Sequence, residues 1–162
     1  LFPNAPAVLL EPRLMLPPDL ITETRIRVRV EVTSKKRLLE SLSELLAPAG
    51  PKCSPSSVFD LLNERERLGS TGLGEGIALP HARISGIDDA VGAFVQLERG
   101  VSFDAPDDQP VDLAFGLLVP EEANEAHLSL LAGLAERFSD AELRNALRRA
   151  DSSGELLRLL VR

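Results

Sequence analysis

The clearest hydrophobic pattern in the chain lies between residues 24 and 32, where apolar and charged side chains alternate. The apolar positions are Ile26, Val28, Val30 and Val32, and Arg25, Arg27, Arg29 and Glu31 stand between them. A period of two predicts a β-strand with one buried face and one exposed face. Two longer apolar runs, at 91–98 and 111–118, predict two further strands, and the Pro-containing polar segment 104–110 predicts the loop between them.

Helical periodicity follows the first strand. Ser34 is a good N-cap, and leucines at 38, 39, 42, 45 and 46 predict a helix that runs through Ala47. The pair Ser54-Pro55 predicts the start of a second helix, because proline is tolerated at the first helical position. Apolar residues at 58, 59, 61 and 62 continue this helix to about Arg67.

The chain beyond Pro120 is predicted to be helical. Apolar residues repeat with helical spacing from Leu128 to Phe138, Asp140 predicts the cap of a helix over 141–150, and Ser152 or Ser153 predicts the cap of a last helix ending at Val161. Strands and helices therefore interleave along the chain. This order predicts an α/β fold, a single-domain sandwich with a mixed central β-sheet flanked by helices on both faces.

Residues 1–23 interrupt this regularity. Prolines at 3, 6, 12, 17 and 18 prevent a continuous helix or a central strand. We expect an irregular N-terminal arm over 1–23 and one domain over 24–162.

Composition narrows the classes of partner. The formal net charge is −7 and aromatic residues make up only 4% of the chain, so neither a phosphate backbone nor stacked bases would find their usual contacts. A single cysteine, Cys53, excludes an internal disulfide and a cysteine-based metal site. No apolar run approaches the ~18 residues of a membrane-spanning helix, and no signal peptide is recognisable. We expect no nucleic-acid partner, no membrane insertion and a cytoplasmic location.

A glycine-rich stretch, residues 69–76, is the first candidate for chemistry. It lacks the Gly-Lys-Ser/Thr of a phosphate-binding P-loop, the helix that a dinucleotide fingerprint requires, and the G-x-S-x-G elbow of a hydrolase. Glycines at 72, 74 and 76 do permit close backbone approach, and backbone N–H groups in such a stretch can point at a small anion.

The stretch leads to Leu79-Pro80-His81, one of two histidines in the chain. An imidazole with a pKa near its ordinary value can act as a nucleophile at neutral pH, provided that a nearby carbonyl holds its other N–H. A turn histidine satisfied by backbone groups would look the same in sequence, so both interpretations stay open on these grounds. The two histidines lack the helical spacing of a zinc site, and we predict no metal and no cofactor.

The run from Gly69 to His81 resembles the active-site signature of the phosphotransferase-system IIA proteins of the fructose–mannitol class, and it is most similar to their nitrogen-regulatory branch. The similarity extends over about residues 30–160, in the order of the family. It includes Ser34-Lys35-Lys36-Arg37, Val58-Phe59-Asp60, Arg65-Glu66-Arg67, Val91-Gly92-Ala93-Phe94, Phe103-Asp104-Ala105, Leu118-Val119-Pro120 and His127-Leu128. One departure is Ala82, where the family often has glycine after the active histidine.

The resemblance implies a phosphotransferase-system IIA type-2 domain and specific roles for its residues. It implies that His81 accepts a phosphoryl group from a histidine-containing phosphocarrier protein, and that His127 and Arg65 complete the active site. An arginine fork suits the charge on a phosphoryl group. The hydroxyls of Ser70 and Thr71 are candidate phosphate-binding donors.

Three functions remain open. The first is a phosphotransferase component with a phosphohistidine intermediate that regulates partner proteins, such as a potassium transporter or a sensor kinase, without turning over a small molecule. The second is a fructose- or mannitol-type IIA component that passes the phosphoryl group to a IIB domain for sugar uptake. The third is a protein-binding module whose histidine is never phosphorylated.

Overall fold

The computed structural model describes residues 16–122 and 124–162, and within them the chain forms six strands and five helices. The strands are β1 (Ile26–Val30), β2 (Gly72–Gly74), β3 (Ile77–Ala78), β4 (His81–Ile84), β5 (Val91–Val101) and β6 (Val111–Pro120). The helices are α1 (Lys35–Leu46), α2 (Pro55–Arg67), α3 (Glu125–Phe138), α4 (Ala141–Arg149) and α5 (Ser153–Val161).

All six strands belong to one mixed sheet. Its order is β1-β5-β6-β3-β2, and β4 also pairs with β6. The β5–β6 and β2–β3 pairs are antiparallel, whereas β1–β5, β3–β6 and β4–β6 are parallel. The two long central strands, β5 and β6, therefore carry the short strands on either side.

Each face of the sheet is covered by its own set of helices. Leucines of α1 and α2 pack with Ala78, Ala114 and Leu118 on one face. Apolar residues of α3, α4 and α5 pack with Phe115 and Leu117 on the other. Because neighbouring residues of β6 point to opposite faces and both faces are buried, the strand is apolar almost throughout. The predicted α/β sandwich with a mixed sheet and helices on both faces is confirmed.

The predicted helix starts are also confirmed. The side chains of Ser34, Ser54, Asp140 and Ser152 accept hydrogen bonds from backbone N–H groups in the first turns of α1, α2, α4 and α5. Such caps satisfy donors that the helix itself leaves unpaired.

The first strand departs from the prediction. Val28 and Arg29 together stand opposite the single residue Gln96 of β5, which makes a β-bulge, and Arg29 has a positive φ of 49°. Ile26 and Val28 therefore pack on the face of α5, whereas Val30 and Val32 pack on the face of α1. The prediction that all four residues share one face was wrong, because a bulge reverses the side-chain alternation.

The described part of the predicted arm runs from Leu16 to Glu23. Leu20 and Ile21 are buried in the core, and the carbonyl of Leu20 accepts a hydrogen bond from Gly92 N at 2.6 Å. Residues 1–15 lie outside the described residues, so the division at residue 24 stays a prediction. In the part of the chain that the structure describes, the helices are all too short or too polar to cross a bilayer.

We expect Gln96→Leu to destabilise the fold by about 2–4 kcal/mol, measured by urea unfolding. The Gln96 side chain accepts from Arg29 N at 3.0 Å and donates to the carbonyls of Leu147 and Ala150, each at 2.8 Å, so leucine would leave two buried carbonyls and one partly buried N–H unpaired. Gln109→Leu, at an exposed position, is the matched control and should change stability by less than about 0.5 kcal/mol. Equal losses in the two variants would contradict this role for Gln96.

Candidate functional site

Leu79-Pro80 separates two short strands that pair with β6, and His81 begins the second of them. Strands β3 and β4 pair with β6 in one continuous parallel register, from Ile77↔Leu113 to Ile84↔Pro120, and Leu79-Pro80 stands between them. Proline has no N–H to donate to a ladder, although its carbonyl still accepts from Leu117 N at 2.9 Å. His81 is therefore the first residue of β4, which among the described residues pairs with β6 alone.

The carbonyl of Leu79 holds the His81 ring. Nδ1 lies 2.8 Å from this oxygen, and because a carbonyl only accepts, Nδ1 carries the proton and Nε2 keeps its lone pair. Burial lowers the pKa of His81 below its ordinary value, and the positive charge of Arg65 lowers it further, against the raising effects of the Leu79 carbonyl and Glu66. The ring is therefore held in its neutral, nucleophilic form at neutral pH.

A cleft of about 680 Å³ opens in front of His81. Residues from the end of α2, the start of β4 and the first turns of α3 line it, with Val119 of β6. Helices α2 and α3 cover opposite faces of the sheet, so the cleft lies where the sheet ends between them. The structure thereby brings His81, His127 and Arg65 together, although they are far apart in sequence.

His127 is the third residue of α3, and its ring belongs to the N-terminal cap. The N–H of Asn124 donates to Nδ1 of His127 at 3.2 Å, so Nδ1 must carry a lone pair and the neutral ring has its proton on Nε2. The two histidines thus have opposite tautomers. His81 offers a lone pair at Nε2, and His127 offers an N–H at Nε2.

Arg65 lies in the last turn of α2. Its Nη1 donates to the carbonyl of Gly69 at 2.9 Å, which holds the guanidinium beside the start of the glycine-rich stretch. A guanidinium has five N–H donors, so this bond leaves others for an anion in the cleft.

Ser70 and Thr71 use their hydroxyl protons inside the protein. Ser70 Oγ donates to the carbonyl of Phe103 at 2.9 Å, and Thr71 Oγ1 donates to Oε2 of Glu66 at 2.6 Å. Neither residue is among those that line the cleft. Phosphate binding by these two hydroxyls stays a prediction, and it requires that both leave their present partners.

The glycine-rich stretch forms a β-hairpin. Strands β2 and β3 are joined through Glu75 and Gly76, which both have positive φ angles, 58° and 81°. At this tip, Arg148 donates to the carbonyl of Glu75 and forms an ion pair with Asp112 at 3.0 Å. Among the described residues, the lining of the His81 cleft includes none of these glycines, and anion binding by their N–H groups stays a prediction.

The sequence interpretation missed a buried carboxylate next to the site. Glu66 has a side-chain exposure of 4%, and its Oε1 lies 2.9 Å from Nζ of Lys35. A helical signal for it exists, because Val58, Leu62 and Glu66 follow one another at intervals of four and form the buried face of α2. An acidic residue in line with an apolar stripe indicates a buried charge that has partners.

The rim of the cleft differs from the rest of the chain in charge and polarity. Arg65, Arg67 and Arg83 line it beside one acidic residue, Glu64, whereas the whole chain carries a net charge of −7. Two leucines of the lining are unusually exposed, Leu68 at 85% and Leu128 at 56%. Cationic donors suit an anionic group, and exposed apolar side chains are typical of a surface that contacts another protein.

Comparison with known proteins identifies a family for the chain. Over residues 19–162 the chain matches the family described as phosphoenolpyruvate-dependent sugar phosphotransferase system, EIIA 2. It is 44% identical over 143 residues to a nitrogen regulatory protein of Pseudomonas aeruginosa, covering 88% of this chain and 93% of that protein. The crystal structure of nitrogen regulatory protein IIA-Ntr from Neisseria meningitidis is 44% identical, with a TM-score of 0.82, and the match covers 87% of this chain and 96% of that one. The IIA mannitol protein of Escherichia coli, 24% identical, shares the fold, with a TM-score of 0.70 over 86% of this chain and 97% of its own.

We expect the His81 ring to titrate below 6.5, its ordinary value, because burial and Arg65 both disfavour the imidazolium. A pH titration of the 15N-labelled imidazole by NMR measures this midpoint and the tautomer together. Arg65→Gln should raise the pKa of His81, since it removes a neighbouring positive charge. Arg67→Gln removes a positive charge from the same helical turn and is the matched control. It should raise the pKa of His81 by less than Arg65→Gln does. A midpoint at or above 6.5 in the wild-type protein would overturn this description of the site.

Proposed function

Because this chain belongs to the phosphoenolpyruvate-dependent sugar phosphotransferase system EIIA 2 family, as its sequence resemblance predicts, we propose that it accepts a phosphoryl group on Nε2 of His81. The donor is a histidine-containing phosphocarrier protein. The observation that carries the proposal is the hydrogen bond from Nδ1 of His81 to Leu79, which leaves the Nε2 lone pair for the cleft. The exchange takes place in the cytoplasm.

The transfer needs no cofactor. The Nε2 lone pair of His81 forms a bond to phosphorus while the bond between phosphorus and the donor's histidine nitrogen breaks, and that bonding pair returns to the donor nitrogen. The protein's part is to align the ring and to stabilise charge on the phosphoryl oxygens. Arg65 supplies guanidinium donors for those oxygens, and the Nε2–H of His127 supplies one more.

The rim supports a protein as the donor. Leu68 and Leu128 offer exposed apolar contact on two sides of the cleft, and the phosphoryl group enters between them towards His81. A small phosphorylated metabolite would not need such a rim.

We further propose that the output is regulatory, through partner proteins that distinguish the phosphorylated from the unphosphorylated form. Potassium transporters and sensor kinases are the candidate types of target. The names of the relatives support this role, since the protein of Pseudomonas aeruginosa at 44% identity is a nitrogen regulatory protein. The mannitol protein, at 24% identity, is an argument for the fold alone.

We expect wild-type chain to acquire acid-labile label from radiolabelled phosphoenolpyruvate when purified Enzyme I and a carrier protein are present. His81→Ala should acquire none. His127→Ala should be labelled about 10- to 100-fold more slowly, because it loses one N–H donor to the charged phosphoryl oxygens. A nitrogen-branch carrier should label the chain faster than a sugar-branch carrier.

Faster labelling by the sugar-branch carrier, with onward transfer to a IIB domain, would favour the fructose- or mannitol-type component. Wild-type chain that takes no label from either carrier would contradict the proposal and leave a protein-binding module.

We expect Leu68→Asp to raise the KM for the phosphorylated carrier by about tenfold with little change in kcat, because a charge replaces an apolar contact at the docking surface. Val161→Asp is the matched control, since Val161 is 52% exposed but lies on α5 and does not line the cleft. The kinetics of labelling at several carrier concentrations separate the two constants. An unchanged KM in Leu68→Asp would exclude Leu68 from the docking surface.

A further inference from the structure

The buried carboxylate of Glu66 has three hydrogen-bonding partners. Oε1 accepts from the backbone N–H of Thr71 at 2.9 Å and from Nζ of Lys35, also at 2.9 Å. Oε2 accepts from Oγ1 of Thr71 at 2.6 Å. A glutamate with a side-chain exposure of 4% is stable in the folded protein only with such partners, so the position is costly to maintain.

A continuous chain of hydrogen bonds leads from Glu66 to the His81 ring. The carboxylate of Glu66 accepts hydrogen bonds from both the N–H and the hydroxyl of Thr71. The carbonyl of Thr71 accepts from the N–H of Leu79 at 3.0 Å, and the carbonyl of Leu79 accepts from Nδ1 of His81 at 2.8 Å. Every link between Thr71 and the ring uses backbone atoms.

Lys35, which forms an ion pair with the Glu66 carboxylate, is itself held in place by Phe103. It is the first residue of α1, its Nζ donates to the carbonyl of Phe103 at 3.2 Å, and it lies 4.6 Å from the centre of the Phe103 ring. The same Phe103 carbonyl accepts from the hydroxyl of Ser70. Glu66 is thus tied through Lys35 to the start of α1 and to Phe103 in the segment after β5.

Resting on the proposed function, we propose that Glu66, anchored by Lys35, is a positioning residue that holds His81 in the reactive tautomer. The carboxylate fixes Thr71, Thr71 fixes the peptide of Leu79, and the Leu79 carbonyl then holds the proton on Nδ1. Pro80 has no N–H to donate to β6, so this segment is held by the bond from the Leu79 N–H to the Thr71 carbonyl and by the bond from Leu117 N to the Pro80 carbonyl. Glu66 touches neither the phosphoryl group nor the donor.

A positioning residue and a residue of the docking surface should therefore affect different kinetic constants. A residue of the docking surface changes the KM for the carrier, whereas loosening the Leu79 carbonyl changes the fraction of His81 that carries its lone pair on Nε2. That loss appears in kcat. A supporting partner of this kind is typically worth about 10- to 100-fold in activity.

The test compares Glu66→Ala and Glu66→Gln with Asp60→Ala, an exposed acidic position on the same helix. In each folded variant, the 15N shifts of the His81 imidazole report the tautomer without any phosphoryl transfer, and labelling by the phosphorylated carrier gives kcat and KM. We expect Glu66→Ala to show His81 protonated mainly on Nε2 and a kcat about 10- to 100-fold lower, with KM nearly unchanged. Asp60→Ala should match the wild-type protein.

Glu66→Gln decides the question if Glu66→Ala does not fold. Glutamine keeps the shape and one acceptor oxygen for Thr71 N, but it loses the ion pair with Lys35, so we expect partial rescue with a kcat about 3- to 10-fold below wild type. Wild-type 15N shifts of His81 in whichever variants fold would overturn the inference. Failure of the wild-type chain to take up label would instead overturn the proposed function, and the tautomer measurement would still stand.

Discussion

One hydrogen bond, from Nδ1 of His81 to the carbonyl of Leu79, determines which nitrogen of the ring can react. It joins the side chain to a backbone carbonyl two residues earlier, across Pro80, which has no N–H to donate to β6. The rest of the site is arranged around this contact. Burial and Arg65 lower the pKa of the ring, and His127 presents a complementary N–H from the opposite tautomer.

The sheet edge explains why residues from three parts of the chain meet. Strand β4 pairs with β6 alone in the described residues, so no further strand covers His81 on that side. The C-terminal end of α2 and the N-terminal end of α3 approach this edge from opposite faces, bringing Arg65 and His127 with them. The reactive ring lies at the boundary of the sheet and faces an open cleft, where a partner protein can reach it.

The sequence was most informative where one local rule acts alone. The four caps at Ser34, Ser54, Asp140 and Ser152 were predictable because a capping side chain and its backbone partner are neighbours in sequence. The bulge at Arg29 was not, since it depends on Gln96 of another strand. The glycines of 72–76 serve a hairpin held by Arg148, and Glu66 is secured by Lys35, so both features depend on contacts that only the tertiary fold creates. Periodicity places Glu66 on the apolar face of α2, but it does not identify Lys35 as its partner.

The most direct measurement is a 31P–15N NMR correlation on the phosphorylated protein with 15N-labelled histidine. We expect a one-bond coupling between phosphorus and Nε2 of His81, with Nδ1 still protonated against Leu79. A coupling to Nδ1 of His81, or to either nitrogen of His127, would contradict the central claim that the Leu79 carbonyl selects the reactive atom.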